Sequence, residues 1–133
     1  MGKRYLIDTN SLVDAQTKKL PASGMAFMSQ VTNDDFTISF ISYIEYLGYK
    51  YATESMEEFI ALADVIEVNK AIIDATIKVR KIHTIKLPDA IIAATAIVYK
   101  RILITRNIAD FSNIKGLKVI NPWKLQDTKF TME

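Results

Sequence analysis

At 133 residues the chain has room for one compact domain, with a core large enough to need neither a disulfide nor a structural zinc. It holds no Cys and a single His, which excludes thiol nucleophiles, Cys-ligated metals and multi-imidazole zinc sites, so any metal chemistry must use oxygen ligands. Hydrophobic residues make up 50% and charged residues 24%, a globular balance, while the net charge of +2 divides into −5 over residues 1–67 and +7 over residues 68–133, so the second half invites an anionic partner.

Tyr5-Leu6-Ile7 is a short apolar run that ends in Asp8-Thr9-Asn10-Ser11. Cap-type residues directly after an apolar run predict a buried strand feeding a helix, with Leu12, Val13 and Leu20 on the helical face. Pro21 to Gly24 marks a break, Met25 to Val31 resumes helical spacing, and Asn33-Asp34-Asp35 reads as a turn. The uncharged stretch from Leu20 to Asn33 is too short and too polar to cross a membrane, and Lys3-Arg4 followed so soon by Asp8 is not a signal-peptide pattern, so a cytoplasmic location is expected. Phe36 to Ile41 is β-branched and aromatic and predicts a second strand, with helix from Ser42. Tyr43 and Tyr46, like Met25, Phe27 and Met28, read as core or dimer-interface residues.

Thr53 caps a helix to about Ala63, and Val65 to Val68 predicts a third strand. Asn69 caps a long helix whose Ile72, Ile73, Ala75, Val79 and Ile82 keep near-helical spacing. Pro88 opens the next helix at a position that tolerates proline. Ile102-Leu103-Ile104 and Leu117 to Ile120 predict the fourth and fifth strands. After Trp123 the apolar pattern fades. Residues 124–133 are therefore expected to be a peripheral tail on a single domain, 1–133, with its core over about 4–123. Continuous apolar strands separated by helices predict an α/β chain of three α/β/α layers, with a central parallel sheet of about five short strands.

In an open parallel sheet, ligands bind beyond the carboxyl ends of the strands. Four acids fall there. Asp8 follows the first strand, Glu45 the second, Asp89 opens the helix before the fourth, and Asp110 lies in the loop after it. Singly, each has a structural explanation: a turn or cap at Asp8, a capping box over Ser42-Tyr43-Ile44-Glu45, a helix-dipole partner at Asp89 and an Asx turn at Asp110. Asp89 resists that explanation most. Ala90 to Tyr99 carries no charge and includes four alanines, so the helix is buried all round and the acid at its head loses hydration, at a cost of several kcal/mol in order of magnitude. If the four share one crevice, two carboxylates roughly 4 Å apart repel by about 4 kcal/mol at an effective dielectric of about 20. Protonation or a cation must relieve this, and with no Cys and one His the fitting cation is hard and oxygen-seeking, Mg²⁺ or Mn²⁺ in its place, whose usual work is to bind a phosphate oxygen and activate a water.

Ile7-Asp8-Thr9-Asn10, Ser42-Tyr43-Ile44-Glu45 with Gly48, Leu87-Pro88-Asp89 through Ala96, and Thr105-Arg106-Asn107-Ile108-Ala109-Asp110-Phe111 together resemble the PIN domain, above all the VapC-type ribonuclease toxins of toxin–antitoxin pairs. The likeness runs from about Arg4 to Trp123. It implies a PIN-like fold and a Mg²⁺-dependent endoribonuclease that hydrolyses RNA through metal-activated water, working as a homodimer and held by a small antitoxin protein. Carried over by position, Asp8 and Asp89 are the principal metal ligands, Glu45 and Asp110 complete the acidic quartet, and Asn10, Thr105 and Asn107 support it. The last motif often has Asp where this chain has Asn107, which leaves Asp110 as the fourth acid. Arg80, Lys81, Lys86 and Arg106, with Lys78 beside them, are candidate phosphate contacts. Two related readings share the fold: a stand-alone PIN nuclease for RNA maturation, and an inactive PIN-like scaffold that binds RNA. A receiver-like phosphoacceptor domain fits less well, because Asp8-Thr9-Asn10 lacks its adjacent acid pair.

Overall fold

The computed structural model describes residues 3–130. Its elements are β1 (Tyr5–Ile7), α1 (Thr9–Gln16), α2 (Ala22–Asp35), β2 (Thr37–Ser39), α3 (Phe40–Leu47), α4 (Glu54–Ile60), β3 (Asp64–Ile66), α5 (Lys70–Ile82), α6 (Leu87–Val98), β4 (Ile102–Ile104), α7 (Ile108–Phe111), β5 (Lys118–Asn121) and β6 (Lys124–Phe130). The apolar runs became strands because each can be covered on both faces. Leu6 and Leu103 point into one core with Ala90, Ala93, Phe111 and Val119, while the alternate residues Ile7 and Ile104 point into the other with Leu12, Met28, Ile38 and Tyr46. Successive strand residues face opposite sides, so the sheet lies between two helical layers. That is the α/β/α arrangement expected from the sequence.

The pairing is less uniform than one parallel sheet. β1, β4 and β5 form a parallel ladder, with Ile7 beside Ile104 and Ile104 beside Ile120. β2 and β3 form a separate parallel pair, with β2 next to β1. The expected tail at 124–133 is corrected over 124–130. β6 turns back at Asn121–Lys124 and pairs antiparallel with β5, with a register shift between Val119 and Asn121. Only one side of an edge strand is paired, so it needs no apolar alternation, and a charged residue such as the exposed Lys124 discourages further pairing. Residues 131–133 lie outside the described residues.

Several boundaries moved for identifiable reasons. α2 starts at Ala22 and runs through the supposed turn to Asp35. Gly24 sits inside it because a Cβ there would collide with the carbonyl oxygen of Pro122. The second strand ends at Ser39, whose hydroxyl accepts the Ser42 N–H at 3.2 Å and so caps α3 three residues earlier than expected. The predicted caps Thr53 and Asn69 do start α4 and α5, and Pro88 lies in the first turn of α6. Among the described residues no helix is long and apolar enough to cross a membrane.

Candidate active site

The parallel register between β1 and β4 places the residues after each strand side by side. Asp8 donates its N–H to the Ile104 carbonyl at 2.9 Å, and Thr105 donates its own to Ile120 at 3.0 Å. Both side chains therefore emerge at the carboxyl edge of the sheet, Asp8 only 4% exposed and Thr105 fully buried. One Asp8 oxygen, Oδ1, accepts the Thr9 N–H at 2.8 Å and caps α1, so the structural explanation for this residue holds for half of its carboxylate. Oδ2 accepts the Thr105 hydroxyl at 2.8 Å and the Asn10 amide at 3.2 Å. All these donors are neutral. Burial pushes the Asp8 pKa up to about 6, against the lowering effect of the Thr105 and Thr9 hydrogen bonds and with help from the charges of Asp89 and Glu45.

Asn10 and Thr105 form a small scaffold under Asp8. The Asn10 amide also donates to Thr105 Oγ1 at 3.2 Å, and its carbonyl oxygen accepts the Arg106 N–H at 3.2 Å. Thr105 Oγ1 in turn accepts the Asn107 N–H at 3.1 Å, so Asn107 joins this network through its backbone while its side chain lines the adjoining cleft.

Glu45 reaches the same edge from α3. Because Ser39 caps that helix, Glu45 lies in its second turn and is not the acid of a capping box. Its Oε1 accepts the Thr9 hydroxyl at 2.6 Å, and Thr9 also lies 3.2 Å from Ser42 Oγ. Thr9 and Ser42 thus fix the acid across the α1–α3 contact, roles the sequence reading did not give them. Their signal was present: each lies within a quoted motif, but a threonine after a cap residue reads as helix-start chemistry until the partner helix is in place.

Asp89 lies in the first turn of α6, half-buried above a helix whose Ala90, Ala93, Ala94 and Ala96 are all packed away. Its pKa is raised, first by burial and then by the charges of Glu45 and Asp110, with Lys86 opposing. Asp110 is exposed and belongs to the four-residue helix α7, not to a loop. The fold therefore groups Asp8, Glu45 and Asp89 within electrostatic reach of one another, and sets Asp110 beside Asp89. Among the described residues none of the four is ion-paired. Nor do any three converge closely enough for a closed metal cage. Mg²⁺ is held through one or two carboxylates and keeps several waters, so this open set of hard oxygen donors with unrelieved negative charge suits it.

The candidate phosphate contacts separate. Lys86 lines a cleft of about 680 Å³ together with Asp89 and Asp110. Arg80 and Lys81 sit in the last turn of α5 and do not line that cleft. Arg106 is committed elsewhere: its Nη1 donates to both oxygens of Asp14 at 3.0 Å. Asp14 is 2% exposed and also accepts the indole N–H of Trp123 at 2.9 Å. Nothing local in the sequence marks this acid as buried or paired. Inside a short helix it has no local partner, and both of its donors come from the far end of the chain.

A family model for the PIN domain matches residues 5–117. Among solved structures, the chain is similar to one in a toxin–antitoxin complex from Klebsiella pneumoniae, at 31% identity and a TM-score of 0.70, covering 89% of this chain and 97% of that one. It is also similar to a chain of VapBC-1 from nontypeable Haemophilus influenzae, at 27% identity and a TM-score of 0.63, over 80% of this chain and 89% of that one. VapBC2 from Rickettsia felis, bound to a DNA fragment from its promoter, shares the fold at 24% identity and a TM-score of 0.73, over 88% of this chain and 97% of that one. No curated protein matches.

Proposed function

The chain belongs to the PIN-domain family, and from that premise we propose that it is a Mg²⁺-dependent endoribonuclease, the toxin of a toxin–antitoxin pair, acting on RNA in the cytoplasm. The observation that carries this reading is the grouping of Asp8, Glu45 and Asp89, from β1, α3 and α6, where Asp8 is buried among neutral donors and its pKa reaches about 6. A fold gains nothing by gathering unpaired carboxylates; a divalent cation makes the arrangement favourable.

Asp8 and Asp89 are the residues to hold the ion, Mg²⁺ or Mn²⁺, with Glu45 and Asp110 at the sides. When bound, the ion neutralises phosphate charge and polarises a water for in-line attack on the phosphodiester. The chain's own part is positioning. Thr9 holds Glu45 through its hydroxyl, while Thr105 and Asn10 orient Asp8 and fill the lone pairs of Oδ2. Lys86 brings positive charge to the cleft beside Asp89, where a phosphate group would enter. Asn107 lines the same cleft as a neutral amide.

The test is hydrolysis of fluorescence-quenched RNA by purified protein in Mg²⁺ and in EDTA. Cleavage in Mg²⁺ alone is expected. Glu45→Gln and Asp89→Asn each lower the rate by at least about 10³-fold, equal to about 4 kcal/mol of barrier, while the metal-free fold stays as stable as the wild type because each change removes repulsion. Equal cutting in EDTA defeats the metal mechanism, and a clear loss of metal-free stability in both variants returns these acids to a structural role.

The partners belong to the same reading. A small antitoxin is supported by the toxin–antitoxin complex among the similar structures. A homodimer is supported by an apolar strip in which Ile73, Ile77 and Leu87 are each about half exposed around Ile91. Sedimentation of the purified chain at twice its 15.1 kDa is expected, and a 15.1 kDa species at high concentration would remove the dimer.

A further inference from the structure

Two hollows meet at His83. The first, of about 680 Å³, runs from Asp89 and Asp110 past Lys86 to His83 and Asn113. The second, of about 470 Å³, starts from the same His83, Asn113 and Ile114 and continues along α5, with Lys78 and Lys115 on its walls. Its lining is aliphatic, with Val79 buried, Ile97 partly buried and Ile82 exposed at the edge. Together they make one groove that leaves the acids and crosses the C-terminal end of α5.

The charge changes along it. Among the described residues the ion pairs are Lys70–Asp74, Arg101–Asp35 and Arg106–Asp14. Asp74, the one acid on the second hollow, is thus matched by Lys70 at 2.7 Å, whereas Lys78 and Lys115 have no ion-pair partner among the described residues and Lys86 acts on Asp89 without an ion-pair contact. Arg80 and Lys81, the two exposed cations closest to them in sequence, line neither hollow.

We propose that this groove is the path of the substrate strand: single-stranded RNA lies with one unpaired nucleotide in the hollow between Asp89 and His83, and its next phosphates run past Lys78 and Lys115. The inference rests on the nuclease reading for the direction it takes from the acids. A hollow of this size admits one nucleotide, and an aliphatic wall suits an unstacked base better than an A-form duplex, whose recognition is by shape across a wide minor groove. Lysines at the rim meet phosphates while an aliphatic lining takes the faces of unstacked bases, the division of labour seen in single-strand channels. Two lysines without ion-pair partners, Lys78 and Lys115, and continuity with the acids favour RNA over a protein segment in the same place.

The test is binding of a fluorescent random-sequence RNA of about twelve nucleotides, followed by anisotropy in EDTA so that the strand stays intact. The variant Lys78→Ala/Lys115→Ala, both side chains exposed and outside the acid cluster, is expected to bind about tenfold more weakly. It should also flatten the dependence of log affinity on log salt by about 1.4, from two contacts of about 0.7 each. RNA of about four nucleotides should bind both proteins alike, and Arg80→Ala/Lys81→Ala should match the wild type. Unchanged affinity and salt slope in the Lys78/Lys115 variant, or an equal loss in the Arg80/Lys81 variant, overturns the path. Wild-type protein that binds no RNA overturns it too and hands the groove to a protein segment. Wild-type protein that binds RNA through these lysines but does not cut it in Mg²⁺ leaves the path standing and defeats only the nuclease reading.

Discussion

Asp8 and Asp14 stand at the two ends of helix α1, equally hidden from water at 4% and 2% exposure, and their surroundings could hardly differ more. Asp14 receives a guanidinium on both oxygens and an indole N–H, so it ties α1 to the loop after β4 and to the turn before β6. Asp8 receives a backbone N–H, a hydroxyl and an amide, all neutral, and has two further carboxylates for neighbours. A third acid, Asp35, is 35% exposed at its side chain but is paired in the same way, with the mostly buried Arg101 side chain. Burial would raise its pKa, but hydrogen bonds from Arg101 and Thr37 and the charge of Arg101 carry it below the ordinary value of 3.8. Where this fold needs a hidden charge for structure, it supplies the countercharge itself. Where it leaves a hidden acid without one, the acid is relieved by taking up a proton or a countercharge from outside.

The largest effect expected from that contrast is in the pH dependence of the metal-free protein. With Asp8 raised from 3.8 to about 6, the native state holds, between those values, a proton that the unfolded chain has released. Stability therefore falls as pH rises through that window and levels off above it, by up to about 3 kcal/mol. Asp35 does not blur this, because its lowered pKa moves its own transition below the window. Urea unfolding in EDTA at pH 4 to 7 should show the decline, and Asp8→Asn should reduce it to the part that the raised pKa of Asp89 contributes and leave the protein more stable than wild type at pH 7. Saturating Mg²⁺ should restore the wild type above pH 6 and do little for the variant. A flat wild-type profile in EDTA would erase the distinction between the two acids.

Much of this was legible in the sequence because it depends on local signals. The apolar triplets Tyr5-Leu6-Ile7 and Ile102-Leu103-Ile104 and the caps Thr53 and Asn69 fall where they were expected. The acids at strand ends follow from the layer order alone. What failed required a partner distant in sequence. Gly24 looked like a break because nothing local shows that Pro122 packs against it. Residues 124–130 looked like a tail because an edge strand is specified by the backbone of its neighbour, β5, and not by its own alternation. Arg106 looked free for phosphate because Asp14, 92 residues earlier, carries no mark of a buried ion pair. The capping box at Ser42 failed by a smaller margin: Ser39, also a good cap residue, comes first along the chain and starts the helix.

Asp14→Asn supplies the matching experiment of opposite sign. The amide keeps the shape and one acceptor oxygen, so the Trp123 indole or the Arg106 guanidinium retains a partner, but the charge and one charge-assisted hydrogen bond are gone. Breaking a buried pair costs about 3–5 kcal/mol when it strands a charge in the interior. Here the stranded group is Arg106, whose side chain is 50% exposed and regains water, so the loss should come nearer the value of a single hydrogen bond to a charged group, about 2 kcal/mol. The same urea titration at pH 7 in EDTA should therefore show Asp14→Asn less stable than wild type and Asp8→Asn more stable. Mg²⁺ should not rescue the Asp14 variant selectively, because its defect lies in the Arg106–Trp123 contact and not among the unpaired acids. If both substitutions shift stability in the same direction, burial alone governs these carboxylates, and the absence of a cation beside Asp8 has no functional meaning.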